Sequence, residues 1–297
     1  MKRILIMIMS CNKEFFIKQE QVLRETYLSI LPGNISFIIY RGGYNEQRFN
    51  FEEGILELTS KDDLEHTYHK TFEALTWVNE NVMFDYIFRT NTSTYINIDL
   101  LNAFVQSLNN DSVLWGGELT NNKLEDSMFW GLYLRGNALL ISKKLVNQLF
   151  IFGSCFIYLN CSLIDDAIIG AAFNNMMNIK QVATSEPLLL TNFFKSFRVG
   201  WYKTVLNEYC YHQICNMNNT NKEFDFIKTM IIIQIRNWYD RSLEEKHFKE
   251  LHEVFINNKD NDIAKTVQMQ YEYSENPDIF LGSALGFKSL SEIMRKR

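Results

Sequence analysis

The sequence predicts an α/β fold: a mostly parallel central sheet flanked by helices, followed by a helical C-terminal extension. Three observations carry that expectation. Short apolar runs of buried-strand length alternate with longer segments whose apolar residues recur at helical spacing. Small polar residues collect just past the apolar runs, where open α/β sheets bind their ligands. The chain is also large and apolar enough to fill such a core, with 297 residues of which 46% are hydrophobic.

Lys2 to Met9 reads as the first strand, apolar on both faces and ended by Ser10-Cys11-Asn12. Phe16 to Leu28 suits a helix. Phe37 to Tyr40 is a second strand, closed by the turn signal Arg41-Gly42-Gly43, and Ile55 to Leu58 a third. Ser60 is placed to cap a helix with Asp62 and Asp63 in its first turn, where the helix dipole favours negative charge. Leu64, Tyr68, Phe72, Leu75 and Val78 form its apolar stripe. Tyr86-Ile87-Phe88 is a buried strand that runs into Arg89-Thr90-Asn91-Thr92-Ser93. Ile98, Leu101, Phe104, Val105 and Leu108 mark the next helix. Val113-Leu114-Trp115 is a strand ending at Gly116-Gly117, Ala138 to Ile141 another, and Lys143 to Phe150 a helix. Beyond the polar stretch Asn216 to Asn221, Phe224 to Trp238 and Leu243 to Phe255 read as helices. The expected division is a first domain over 1–221 and an extension over 222–297 packed on it.

Composition excludes several classes. The net charge of −5 argues against a dedicated nucleic-acid binder, which needs a basic footprint. With 22% charged residues and 3 Pro, the chain is not a disordered one. Its 23 Phe, 14 Tyr and 5 Trp fit a thick core, or rings lining a sugar or base site. Five cysteines, an odd count without a Cys-x-x-Cys pair, fit a reduced, cytoplasmic compartment. Met1 to Ser10 suits a buried strand better than a signal segment, and no stretch approaches the length of a membrane span. The basic tail of Lys288, Arg295, Lys296 and Arg297 leaves room for peripheral contact with anionic lipid at most.

Two segments could carry chemistry. The first is Arg89 to Ser93, where a buried strand delivers hydroxyls and an amide to its carboxyl end. Those groups can hold a diphosphate or ribose, or they can cap the next helix. Ser10 stands at the equivalent end of the first strand. The second is Asp165-Asp166, placed at a helix N-terminus by the apolar residues Ile168, Ile169, Ala172, Phe173 and Met176. Two adjacent carboxylates push one pKa up and can do acid–base work; plain N-capping is the alternative. Glu118, after Trp115-Gly116-Gly117, can contact sugar hydroxyls or simply form a turn. Cys210, His212 and Cys215 supply three zinc-type ligands, one short of a structural site, and no metal is assigned to them.

Taken together these segments resemble the beta-1,3-galactosyltransferase and Fringe superfamily of GT-A type glycosyltransferases. Val22-Leu23-Arg24-Glu25-Thr26-Tyr27 is similar to its early R-x-T-W helix, and Tyr68 to Trp77 to its K-T…W helix. Phe84 to Asn97 lies where the family has D-F-x-x-K-T-D-D-D-x-F-x-N. Tyr133 to Ser142 resembles its glycine-centred stretch, with Gly136 at the centre, and Asp165-Asp166-Ala167-Ile168-Ile169-Gly170 matches E-D-V-x-x-G. The similarity covers about residues 1 to 215.

The resemblance implies an inverting hexosyltransferase, of beta-1,3 type, that moves a sugar from a nucleotide sugar, usually a UDP-sugar, to a hydroxyl of a glycan acceptor. Asp166 takes the position of the catalytic base and Asp165 sits beside it. His212 falls where the family often has a histidine. One departure bears on the metal. Asn91-Thr92-Ser93 replaces the acidic triplet that binds Mn²⁺, and a hard divalent ion wants anionic oxygens. Transfer is then metal-independent, with Arg24, Lys70, Arg89 or Arg135 stabilising the leaving diphosphate, or the fold is retained and catalysis lost. The rival functions are a non-catalytic glycan- or nucleotide-sugar-binding protein on the same fold, and a nucleotidyltransferase, which needs metal.

Overall fold

Side-chain alternation along the central strands sorts the core into two layers. The computed structural model describes residues 1–117, 119–122, 131–158, 165–184, 194–196, 199–201, 230–235, 241, 243–257 and 263–275. The chain runs β1 (Ile4–Met9), α1 (Glu14–Glu25), a 3-10 turn at Tyr27–Ile30, β2 (Ile35–Arg41), β3 (Arg48–Asn50), β4 (Ile55–Glu57), α2 (Thr67–Asn81), β5 (Tyr86–Asn91), β6 (Thr94–Ile96) and α3 (Ile98–Ser107). It continues through β7 (Leu114–Gly116), β8 (Leu119–Asn122), β9 (Gly131–Leu134), β10 (Ala138–Ser142), α4 (Lys143–Gly153) and α5 (Asp165–Thr184). β11 (Phe194–Ser196), β12 (Val199–Trp201), β13 (Ile232–Gln234), α6 (Leu243–Asn257) and α7 (Ile263–Glu275) complete the described elements.

Eight strands form one sheet in the order β11-β7-β10-β5-β1-β2-β4-β3. β1 pairs parallel with both β2 and β5, β2 with β4, and β7 with β11. β10 lies antiparallel between β5 and β7, and β3 antiparallel to β4. This is the mostly parallel, helix-flanked sheet that the alternating pattern predicts. Ile4, Ile6 and Ile8 of β1 join Val22 and Leu23 of α1 and Leu101 and Phe104 of α3 on one face. Leu5 and Met7 join Leu75 and Val78 of α2, Leu145 of α4 and Ile168 of α5 on the other. Successive strand residues point to opposite faces, so a strand covered on both must be apolar throughout.

Two expectations need correction. α2 begins at Thr67, and Ser60 does not cap it. The backbone N–H and hydroxyl of Ser60 instead donate to Glu73 Oε2, at 2.9 and 2.5 Å, and Leu64 is 70% exposed. The Glu73 carboxylate, well inside the helix, ties the Thr59-Ser60 loop down and delays the first turn. The second correction concerns Phe224 to Trp238. Its described part, 230–235, is extended, and β13 pairs antiparallel with β6 and parallel with β12. Met230, Ile231, Ile232, Ile233 and Ile235 are all buried. A β-branched run apolar on both sides loses side-chain freedom in a helix and packs well on a pleated surface.

The C-terminal part is helical in α6 and α7, and both join the core. Phe248, Leu251 and Val267 belong to the same apolar cluster as β1 and α3. Tyr95 of β6 stacks on Phe255 at 5.3 Å and bonds His252 Nδ1 through its hydroxyl at 3.0 Å. No helix among the described residues is long and apolar enough to cross a membrane.

Candidate functional site

A cleft of about 250 Å³ opens at the carboxyl ends of β1 and β5. Its position follows from topology. From β1 the chain crosses through α1 to β2 on one side, and it returns later through α2 to β5 on the other. Adjacent parallel strands whose connections leave in opposite directions leave a crevice between their ends, the usual ligand site of open α/β sheets. Ser10, Cys11, Lys13 and Phe16 line it from the β1 end and the start of α1. Asp62, Leu64, Thr67 and Lys70 line it from the α2 side, Asn91, Thr92 and Ser93 from the β5 end, and Arg241 closes it.

Ser10, Asp62, Lys70, Asn91, Ser93 and Arg241 in the cleft are each held. Lys70, buried, donates to the Ser10 carbonyl at 2.7 Å and to Asp62 Oδ1 at 2.6 Å. Burial works against ionisation of Asp62, yet the bonds from Lys70 and from the Asn12 N–H win and hold its carboxyl below the usual value. Ser10 Oγ donates to the buried Glu20, which also pairs with Arg41. Burial and the neighbouring Asp62 push the Cys11 thiol up to about 11, so it stays protonated and unreactive at neutral pH. The Asn91 side-chain oxygen accepts from Ser93 N–H at 3.0 Å and Thr94 Oγ1 at 3.2 Å, which shapes the turn between β5 and β6. Arg241 Nη2 donates to Ser93 Oγ at 2.8 Å, and its Nε donates to Glu244 Oε1 at 2.9 Å. Its guanidinium lies 4.3 Å from the Phe15 ring centre.

Asp165 and Asp166 lie beside the cleft and do not line it. Register places Arg89 on the same face of the sheet as Ile87, toward α5, and there it forms an ion pair with Asp165. The pair is fully enclosed: Arg89 Nε donates to Tyr40 Oη at 3.4 Å, and Thr71 Oγ1 bonds Asp165 Oδ2 at 3.1 Å. Asp165 reaches the cleft wall through its backbone N–H, which donates to Thr67 Oγ1 at 3.2 Å. Asp166 Oδ2 accepts from the Gly136 N–H at 2.8 Å, and Oδ1 from the Ala167 N–H at 2.8 Å. Gly136 also accepts from Arg89 through its carbonyl. A side chain at 136 would put its Cβ 2.7 Å from Arg89 Nη1 and 3.1 Å from Asp166 Cβ, so glycine is required by close approach. Burial, reinforced by the charge of Asp165, raises the Asp166 pKa above the ordinary carboxylate value.

The structure therefore gathers Ser10, Lys70, Asn91, Thr92 and Ser93 in one cleft, and Arg89, Gly136, Asp165 and Asp166 in a buried cluster behind it. Arg24 is in neither: its guanidinium sits 5.3 Å from the Phe37 ring centre, with burial lowering its pKa. Arg135 is exposed, and Glu118 and His212 lie outside the described residues. Lys13, Asp62 and Arg241 were not anticipated as site residues. Asp62 was expected in a helix first turn, and Arg241 meets Ser93 across 148 positions, so no local pattern could announce it.

The residues at the β5 end do not fit the divalent metal that an acidic triplet would bind. Asn91 and Ser93 are neutral and already engaged, and the nearby carboxylates Asp62 and Glu244 are each paired with a cation. Among the described residues, no three His, Cys, Asp or Glu side chains converge on one point.

No family model and no curated protein matches the chain. Among solved structures it is similar to a glycosyltransferase involved in the glycosylation of the major capsid of PBCV-1, with a TM-score of 0.44 and 9% identity over 84% of this chain and 99% of that one. The galactosyltransferase LgtC in complex with donor and acceptor sugar analogs gives a TM-score of 0.44 and 10% identity over 86% of this chain and 97% of that one. The glycosyltransferase GlyE of Streptococcus pneumoniae TIGR4 gives 0.39 and 12% over 92% of this chain, which spans 64% of GlyE. At these values the likeness decides nothing about the site, whose chemistry stands on the side chains described above.

Proposed function

We propose that the protein is an inverting glycosyltransferase that moves a sugar from a nucleotide sugar, a UDP-sugar by the family resemblance, to a hydroxyl of a glycan acceptor. The observation that carries this reading is the polar cleft at the switch point between β1 and β5, with the Asp165-Asp166 cluster at its back. In the proposed step Asp166 takes the proton of the acceptor hydroxyl as that oxygen bonds the anomeric carbon. The bond from that carbon to the diphosphate oxygen breaks, and its electron pair stays on the diphosphate. A base of ordinary carboxylate pKa accepts protons weakly near neutrality, so the raised pKa of Asp166 supports the role. Asp165, clamped on Arg89, would hold the negative charge that raises it. Transfer to a 3-hydroxyl rests on the family resemblance alone.

Asp166→Asn tests the proposal. Transfer should fall by about 10²–10⁴-fold, the usual size of a general-base contribution, with donor binding retained. Calorimetric donor binding and the product's anomeric configuration by NMR complete the measurement. A specific observation favours the rival reading of a non-catalytic binding protein: each Asp166 oxygen already accepts a backbone N–H. Biological activity unchanged in Asp166→Asn would decide for it.

A further inference from the structure

The cleft raises a question that the proposed reaction leaves open: what offsets the charge of a leaving diphosphate where the described residues do not fit a divalent metal. Among the described residues three cations line the cleft, and they are not equivalent. The Lys70 ammonium is spent on Asp62 and the Ser10 carbonyl, deep in the wall. Lys13 is exposed on a flexible stem at the rim. Arg241 differs from both. Its side chain is 26% exposed while its partner Glu244 is wholly buried. Glu244 takes Nε and Nη2, Ser93 takes Nη2, and Nη1 makes no hydrogen bond among the described residues. The planar guanidinium is fixed in addition by the Phe15 ring at 4.3 Å and the Phe16 ring at 5.2 Å. A clamped guanidinium whose Nη1 keeps its N–H groups can donate to phosphate oxygens, and it loses little freedom on binding.

Ser93 explains why the cation is there. A carboxylate at 93 would attract a metal ion; the hydroxyl instead accepts a hydrogen bond from Arg241 at 2.8 Å and donates to Glu244 at 3.3 Å. Glu244 is the buried counter-charge that keeps the guanidinium in place without meeting the ligand. We propose that Arg241, held by Ser93 and Glu244, is the binding residue for the donor's diphosphate and takes the place of a divalent metal. This rests on the nucleotide-sugar reading given above, and it assigns to the C-terminal segment a direct part in the donor site.

The test is calorimetric titration of the full chain with UDP, GDP, ADP and CDP and with their nucleosides, first in EDTA and then with Mn²⁺. One diphosphate should bind in EDTA, with a Kd that Mn²⁺ alters by less than about twofold. The paired change Arg241→Gln with Glu244→Gln removes the cation without leaving a buried carboxylate unmatched. It should weaken diphosphate binding by about 10–100-fold and leave nucleoside binding unchanged. Arg241→Lys, which keeps the charge and loses the fork, should fall between, and thermal melts establish that each variant is folded. Undiminished diphosphate affinity in the folded variants, or binding that requires Mn²⁺, overturns the assignment of Arg241 and leaves the nucleotide-sugar reading standing. If none of the diphosphates binds the wild-type chain, both fall together.

Discussion

Two aspartates near the site respond to the fold in opposite directions, and their pH dependence separates them. The Asp166 carboxyl is raised above its reference value of 3.8 by burial and by Asp165, so ionising it works against folding. That penalty is absent below the unfolded pKa and grows as pH rises through the folded one. Asp166→Asn removes this pH-dependent penalty but leaves one of the Gly136 and Ala167 N–H groups without an acceptor, so its melting temperature relative to wild type should be higher at neutral pH than in acid, while transfer is lost. Asp62 has the reverse sign. Its carboxyl is held below 3.8 despite burial, chiefly by the hydrogen bond from Lys70, so its ionised form stabilises the fold above that pH. The contribution fades as pH falls through the lowered value. Asp62→Asn should cost about 1–3 kcal/mol at neutral pH, as expected for a hydrogen bond to a charged group, and the difference should close in acid. Urea titrations of both variants between neutral pH and the acid limit give the two signs directly.

At the scale of elements, α6 packs against β6 and holds Glu244 beside the cleft. Phe248 is fully buried and its ring lies 6.1 Å from that of Tyr95, which itself contacts Tyr27 at 5.5 Å. This aromatic bridge fixes α6, and α6 carries Glu244, whose carboxylate aims Arg241. Phe248→Ala should destabilise the chain by about 3–5 kcal/mol in urea unfolding, the range for truncating a buried aromatic. It should also weaken nucleotide binding without touching a single cleft residue. Intact stability in that variant would show that α6 is not part of the cooperative unit.

For the whole molecule, the division at 221 is the feature with the largest consequence. A chain ending there lacks β13, α6 and α7. It would leave β6 without its neighbour and Ser93 without Arg241 and Glu244. It would also expose the face of α3 on which Tyr271 packs, where the Phe104 and Tyr271 rings lie 5.2 Å apart. The truncated chain should be poorly soluble, or, where it folds, should bind no nucleoside diphosphate. A soluble 1–221 fragment with full affinity would establish the first part as a self-sufficient domain.

The sequence by itself determined the strand–helix alternation and the two-faced apolar strands, because buried elements leave periodic signatures within a few residues of chain. It also placed Ser10 and Asn91 to Ser93 at strand ends and Asp165-Asp166 at a helix start, since those positions are local. It misread α2's beginning, where Glu73 reaches back to Ser60, and the β13 segment, because a short apolar run fits either a buried strand or a helix. Only the tertiary structure decided the rest. Arg89 was expected among the diphosphate's cations and is instead sealed against Asp165, because strand register turns it toward α5. Arg241 had no local signal and stands at the cleft, because the chain returns over 148 positions to Ser93. A residue's type and neighbours state what it can bond. Which partner it meets depends on how distant segments pack, and in this protein that packing sets which cations face the cleft.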